Sequence, residues 1–344
     1  MIIYYKFKIN GFCIKSWISS IFKNIQLNKN LLYQDSLNKK YFSNHSKSIV
    51  VRCKKKRDNK LLKEYIYGRA PVFAALSANN REKFYKLYVY GNKKEDDILK
   101  ISMSMSIPVE YVENKGILNN YSFNRPHNGF ILEASPIQCL SLSTHKEFLD
   151  FQINYLNDNE SKIPNNLHYK NYINLWLLLD EITDPMNMGA ILRNAYYFRL
   201  NGVILSAKNC APLSPVVNKA SSGACEFLKI FKTSNPLSLL RLLKKNNWKI
   251  VGAVSPSKKA NKILTISYDE LYIHLSESPT LFIMGSESKG IRTLIINECD
   301  FLVTIPSLQL PFSIIDSLNV SVASGILISE FVKISKIKKK IQIS

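Results

Sequence analysis

Leu179-Asp-Glu-Ile-Thr-Asp-Pro-Met-Asn-Met-Gly-Ala-Ile-Leu-Arg193 carries the chain from a strand into a helix. The apolar run Ile173–Leu179 reads as a buried strand, and Asp184-Pro185 as the turn that ends it. Asn187 then stands at the head of a helix with Gly189 in its first turn. Arg193 follows Gly189 by four residues, so both lie on one helical face. A glycine there leaves space above that face for a backbone phosphate to approach the guanidinium and the helix N-terminus. The plainer alternative makes Asn187 a helix cap and Arg193 a partner in a surface ion pair.

The same strand-then-loop pattern recurs twice. Ile283-Met-Gly-Ser-Glu-Ser-Lys-Gly290 follows the apolar run Leu281–Met284, and its glycines let the backbone curl and present amides and carbonyls to a ligand. Glu287 in that loop is placed to orient Arg193 or Asn187, or to face a cationic group. Ile305-Pro306 closes a third strand, and Ser317-Leu-Asn-Val-Ser-Val-Ala323 opens a helix for which Ser317 is a good N-cap. Ser317 and Asn319 are side chains of the kind that hydrogen-bond a ribose hydroxyl.

Strand-like runs at Ile173–Leu179, Gly202–Ser206, Phe227–Phe231, Trp248–Ala253, Thr280–Met284 and Phe301–Ile305 alternate with helical segments at Ala190–Leu200, Ser214–Ala220 and Pro236–Asn246. This alternation predicts an α/β domain over residues 173–336 with a mostly parallel sheet covered on both faces. Ligands in such sheets sit beyond the carboxyl ends of strands, where all three motifs fall. The twelve glycines never form G-x-G and no G-x-x-x-x-G-K occurs, so a bound cofactor is held in neither of those ways. A second, smaller α/β unit is expected over residues 64–136, with strands at Phe84–Tyr90, Val109–Val112 and Gly129–Ala134 and helices at Pro71–Leu76 and Asp96–Met105. Residues 137–172, with the polar run Asn154–Asn166, read as a linker, and residues 337–344 as a basic tail.

In this order the three motifs resemble those of the SpoU (TrmH-like) family, S-adenosylmethionine-dependent enzymes that methylate the ribose 2′-hydroxyl of RNA. The resemblance spans roughly residues 64–334. It implies a catalytic domain tied in a trefoil knot, an exception to unknotted topology, acting as a homodimer with cofactor sites near the dimer interface. Carried over by position, it implies Asn187, Arg193, Glu287, Ser317 and Asn319 as the catalytic set and Gly285, Ile305 and Leu318 as contacts to S-adenosylmethionine. Lys219–Ala224 also matches a family segment. Tyr67-Gly-Arg-Ala-Pro-Val-Phe-Ala-Ala-Leu76 and His127-Asn-Gly129 match the ends of the family's L30e-like RNA substrate-binding domain, whose lysines and arginines would position RNA through phosphate contacts. His127 itself reads as a local structural hydrogen-bonder. The family proposal makes the arginine a general base. Since guanidinium keeps its proton in proteins, Arg193 is read here as an electrostatic stabiliser and phosphate anchor. The chain departs from the family between Pro306 and Ser317, where a commonly short, glycine-bearing loop is replaced by a longer, apolar one without glycine.

The chain has 344 residues, 46% of them hydrophobic, and a formal charge of +21. From Met1 to Arg57 there are thirteen Lys or Arg against one acid, Asp35, so the leader carries +12 and the remainder +9. A basic body beneath a basic leader favours a phosphate-rich partner, RNA. Ile14, Trp17, Ile18, Ile21 and Phe22 form one apolar helical face ringed by Lys6, Lys8, Lys15 and Lys23, which reads residues 1–60 as an organellar transit segment or, alternatively, a basic RNA-binding tail. The six cysteines include no C-x-x-C pair and no His stands at metal-ligand spacing, so neither a disulfide framework nor a metal is expected. No run reaches membrane-spanning length without charge. The accessory domain and leader resemble the mitochondrial rRNA members of the family more than its compact tRNA members. The expectation is therefore an organellar large-subunit rRNA 2′-O-methyltransferase acting on guanosine in the mitochondrial matrix. A plastid or nucleocytosolic location, a tRNA ribose methyltransferase and a non-catalytic rRNA-binding assembly factor remain the alternatives.

Overall fold

The computed structural model describes residues 63–93, 95–142, 148–149, 174–256, 263–275, 278–308 and 317–343, with side chains described as far as residue 334. The expected transit segment, most of the 137–172 linker, the greater part of the long loop before Ser317 and the side chains of the basic tail lie outside the described residues.

The N-terminal unit is built from β1 (Glu64–Tyr67), α1 (Arg69–Ala78), β2 (Phe84–Tyr90), α2 (Asp97–Ser104), β3 (Val109–Val112), α3 (Lys115–Tyr121) and β4 (Phe130–Ala134). Its four strands run in the order β1-β4-β2-β3, with β4 antiparallel to both neighbours and β2 parallel to β3. Side-chain caps set where the helices start: Asp96 accepts from Ile98 N, and Asn114 from Gly116 N. Ile66, Val72, Leu76, Leu87, Val89, Ile98, Phe130 and Leu132 close one core between sheet and helices.

The C-terminal unit begins in the segment expected to be linker. β5 (Leu140–Ser141) pairs with the strand Ile230–Thr233, and Phe148 is buried edge-on against Trp176 and Phe231. That linker expectation needs correcting, because a few apolar residues in a polar stretch suffice to cap a sheet edge. The remaining elements are β6 (Leu175–Asp180), α4 (Pro185–Tyr197), β7 (Gly202–Ser206), α5 (Pro215–Ala220), β8 (Ile230–Thr233), α6 (Pro236–Lys245), β9 (Lys249–Ala253), β10 (Thr265–Ser267), α7 (Leu271–His274), β11 (Thr280–Gly285), α8 (Thr293–Ile296), β12 (Phe301–Thr304) and α9 (Val320–Ile343). The eight strands lie in the order β10-β12-β9-β11-β6-β7-β8-β5, and every pairing is parallel.

All six residues of β6 and of β11 are buried, as strands covered on both faces must be. Leu177, Leu179, Met188, Ile191, Leu192, Phe282 and Phe331 fill one face of the sheet; Trp176, Leu178, Leu239, Leu240, Leu243, Ile283 and Leu302 fill the other. The two edge strands have two and three residues, which limits the unpaired backbone they expose. β6 and β11 are neighbours in register, Leu179 opposite Met284 and Asp180 opposite Gly285, so the first two motifs leave the sheet side by side. Among the described residues no helix is long and apolar enough to cross a membrane.

Candidate active site

Asp184, not Asn187, caps α4. Its carboxylate accepts from Met186 N and Asn187 N at 3.2 and 3.1 Å, and Pro185 occupies the first helical turn, where its missing N–H costs nothing. Asn187 is thereby released from capping and turns its amide outward. Its Nδ2 donates to Glu287 Oε1 at 3.0 Å, and its Oδ1 accepts from Asn319 Nδ2 at 3.0 Å. Residues 100 and 132 positions apart thus meet in one hydrogen-bonded row contributed by all three motifs.

Asn319 holds its own orientation by capping α9, its Oδ1 accepting from Ser321 N at 2.9 Å and Ser321 Oγ at 2.6 Å. The cap expected at Ser317 therefore falls two residues later, because α9 starts at Val320; Ser317 is exposed just ahead of the cluster.

The second loop curls as expected but for a steric reason. A Cβ on Gly285 would stand 2.2 Å from Ile291 N and 2.3 Å from Gly290 C. Only glycine lets these two backbone stretches touch, and Gly290 N donates to Ser286 O at 2.8 Å across the neck of the loop. Arg292, just beyond, donates from Nε to Asp180 Oδ1 at 3.0 Å, and a weaker contact links it to Glu181 at 3.7 Å. Asp180 is fully buried, and its hydrogen bond, opposed by burial, raises the Arg292 pKa above the usual guanidinium value. This pair pins the loop to the end of β6. Sequence reasoning missed both residues, although an acid ending a five-residue apolar run was a visible signal for Asp180.

Two expectations need correcting. The face above Gly189 is not open: a Cβ there would meet Ala220 Cβ at 2.4 Å and Val217 O at 2.8 Å, because α5 packs directly on it. Gly189 serves close helix packing, and no phosphate approaches over it. Arg193 also stands apart from the row. It is exposed and donates from Nη1 to Ser222 Oγ at 3.1 Å, with no hydrogen bond or ion pair to Glu287. Of the two partners open to Glu287, the structure selects Asn187. His127 has the local role expected. Its Nδ1 accepts from Gly129 N and its Nε2 lies 3.1 Å from Asn119 Oδ1.

The residues suit a cofactor gripped by backbone and apolar side chains. Gly285 brings main-chain groups to the end of β11, Ile305 is half-buried against the core, and Leu318 is half-exposed beside Asn319. Such a set lacks a glycine-rich diphosphate grip and offers backbone and apolar contacts instead. Among the described residues no three His, Cys, Asp or Glu side chains gather as a metal site. Burial pushes the Cys225 and Cys299 thiols up to about 12, so they act as core residues.

A parallel α/β sheet whose strand ends converge on Asn, Glu and Asn, joined to a small α/β domain, defines the class: a two-domain α/β protein with a polar site at the ligand-binding end of its sheet. Residues 174–329 match the SpoU rRNA Methylase family, and residues 65–139 match the RNA 2′-O ribose methyltransferase substrate binding domain. The rRNA methyltransferase 1, mitochondrial, of Schizosaccharomyces pombe is 36% identical over 292 residues, covering 80% of this chain and 93% of the relative. The 23S rRNA (guanosine-2′-O-)-methyltransferase of Blochmanniella floridana is 31% identical, covering 79% and 95%. The AdoMet-bound rRNA methyltransferase of Sinorhizobium meliloti shares the fold with a TM-score of 0.57 at 18% identity, covering 79% of this chain and 87% of that one. The chain belongs to the SpoU rRNA methylase family, and it is an RNA methyltransferase.

Proposed function

We propose that this protein transfers a methyl group from S-adenosylmethionine to the ribose 2′-hydroxyl of a guanosine in mitochondrial large-subunit rRNA. The observation that carries the reading is the Asn187–Glu287–Asn319 row, which unites three motifs far apart in sequence at the ligand-binding end of the sheet. The relatives' printed names, mitochondrial rRNA methyltransferase 1 and guanosine-2′-O-methyltransferase, support the substrate and the compartment.

S-adenosylmethionine supplies a methyl already activated on a sulfonium, so the enzyme's work lies with the hydroxyl. Asn187 is clamped on both sides of its amide and offers fixed polar atoms to a ribose. Among the described residues no hydrogen bond reaches Glu287 Oε2, which leaves a carboxylate oxygen to accept from the 2′-hydroxyl and aim its lone pair. Ser317, beside Asn319, adds a second hydroxyl-binding group. Gly285, Ile305 and Leu318 hold the donor. Arg193 keeps its proton and opposes the negative charge that develops on the ribose oxygen as the methyl leaves sulfur for that oxygen and the 2′-proton passes to phosphate or water, while anchoring a neighbouring phosphate.

Arg193 does not reach the row of its own chain, and exposed Met186, Tyr196 and Tyr197 line the same helix. These features support a homodimer in which α4 meets a second copy. The basic one-faced leader supports import to the mitochondrial matrix, which its fusion to a fluorescent reporter tests directly.

The decisive experiment maps ribose methylation across organellar rRNA and tRNA after depletion. Loss of a single large-subunit rRNA mark is expected. Loss of a tRNA mark alone transfers the substrate to tRNA, and a folded dimer with no affinity for labelled S-adenosylmethionine overturns the enzymatic reading. Mixing Arg193→Ala with Asn187→Ala protein tests the dimer: a shared site regains activity in mixed dimers, whereas self-contained sites do not.

A further inference from the structure

The loop that leads from α3 into β4 holds an unusual conformation. Phe123 and Asn124 sit consecutively at φ +52° and +59°, and Asn128 at +53°. The pair closes α3 as a helix cap, Asn124 N donating to Asn119 O at 2.8 Å and Phe123 N to Asn120 O at 3.4 Å, a left-handed position that glycine usually fills because it is costly for a bulky aromatic residue. Phe123 gains nothing by packing, since 82% of it is exposed. The cap explains the backbone, but neither the cap nor the core explains a phenylalanine at this place.

The next two residues, Asn124 and Arg125, line an open concavity of about 610 Å³, and Phe123 stands one residue outside that lining. Its lining brings Lys93, Lys115 and Arg125 together with Asn92, Asn124 and Asn128, and no acidic side chain lines it. Lys115, Asn92 and Asn124 make no side-chain hydrogen bond within the described chain. Arg125 spends one nitrogen on Tyr67 Oη at 3.1 Å, which fixes its direction and leaves the rest of its fork unused. Lys93 lies over the Phe130 ring, 4.9 Å from its centroid. Cations, unused amides and an exposed ring are the combination that receives an unpaired nucleotide: phosphate to the cations, base face to the ring, base edge to the amides.

The concavity also communicates with the catalytic unit. Lys219 Nζ lies 3.4 Å from Asn128 Oδ1, and three residues further on Ser222 accepts from Arg193. Burial lowers the Lys219 pKa, but the geometry stands without it. One short segment therefore touches the concavity at one end and Arg193 at the other, so a strand seated in the first passes toward the second.

We infer that this concavity is a single-nucleotide subsite, in which an unpaired ribonucleotide stacks on Phe123 with its phosphate held by Lys115 and Arg125, and that it registers the RNA strand relative to Arg193. The identity of the ligand as RNA rests on the methyltransferase reading; the subsite itself rests on the loop.

The test uses the full chain and a fluorescein-labelled oligouridylate of about 12 nucleotides, within the site sizes usual for single-strand binding. Phe123→Gly removes the ring while relieving the left-handed backbone, so loss of binding in this variant is not loss of folding. Its affinity is expected to fall about 5- to 150-fold, with Phe123→Trp close to wild type. Lys115→Ala and Arg125→Ala should each flatten the slope of log affinity against log salt by about 0.7. Affinity for S-adenosylmethionine should not change in any of them. A wild-type chain that methylates rRNA while Phe123→Gly binds the probe as tightly as wild type overturns the subsite and leaves the methyltransferase reading standing. A wild-type chain that transfers no methyl, yet loses the probe on Phe123→Gly, overturns the methyltransferase reading and supports the subsite.

Discussion

Arg81, at the junction of the two units, is enclosed with 1% of its side chain exposed and spends its guanidinium on four oxygens: both of Glu226, one of Glu64 and the carbonyl of Ser135. Arg193, on α4 at the sheet's functional end, is exposed and meets a single hydroxyl. The first arginine is saturated within the fold, and the second is left with donors to spare. Glu226 is equally enclosed and also accepts from Asn218 Nδ2 at 2.6 Å, while its backbone carbonyl accepts from Asn80. The contrast separates charge used to fix two domains from charge held for something outside the chain.

The junction offers the largest effect. Removing one member of a buried pair strands the other without solvent or partner, at about 3–5 kcal/mol. Arg81→Ala should lose that much in urea unfolding, and Glu226→Ala a similar amount. The double variant Arg81→Met/Glu226→Leu should regain part of it, because the stranded charge is gone. Single variants within about 0.5 kcal/mol of wild type would erase the distinction between the two arginines.

Arg193 should behave in the opposite sense. Arg193→Ala is expected to leave unfolding within about 0.5 kcal/mol of wild type, as exposed substitutions do, and to lower turnover about 100- to 1000-fold, the cost of one preorganised donor. Arg193→Lys keeps the charge and loses the fork. Near-normal turnover in that variant would defeat any role that depends on guanidinium geometry.

The two regions also differ in how legible they are from sequence. β6 and α4 are visible because a continuous apolar run, a turn and a helical repeat occur within twenty residues, and the three motifs fall in order at strand ends. Arg81 and Glu226 are 145 positions apart, with no local pattern to link them. β1 and the three-residue β10 were missed because short edge strands leave too few alternations to count. Ser317 and Asn319 rank alike as caps, so propensity could not separate them, whereas the structure selects Asn319, which also bonds Asn187. The space expected above Gly189 was misread because a glycine on a helix signals close approach without saying what approaches.

Gly189 therefore sharpens the comparison at an intermediate scale. Alanine there gains about 1 kcal/mol of helix propensity, but its Cβ collides with Ala220 and the α5 backbone, an overpacking that costs about 1–3 kcal/mol. A net loss of stability of at most about 2 kcal/mol is expected in denaturant. Since α5 carries Lys219 and leads to Ser222, activity should fall further than stability. A Gly189→Ala protein more stable than wild type would show that α5 yields readily and does not hold Ser222 against Arg193.

His127 gives the smallest effect, and it tests whether the small unit's buried polar groups follow the saturated pattern of Arg81. Its Nδ1 accepts from Gly129 N, so Nε2 carries the proton and donates to Asn119. Burial foremost, then Lys115 and Lys219, hold its pKa below the ordinary 6.5. The unfolded chain thus takes up the proton first as pH falls. Stability from this residue is full above about pH 6.5 and declines as pH drops below it toward the folded-state value, with a slope of at most about 1.4 kcal/mol per pH unit. Urea midpoints between pH 7.5 and 5.5 should show that decline in wild type. In His127→Gln the decline should vanish, although the variant is uniformly weaker for want of the Gly129 acceptor. Lys115→Ala raises the folded-state pKa toward 6.5 and should make the decline shallower; an unaltered slope in that variant would mean that Lys115 does not reach the ring.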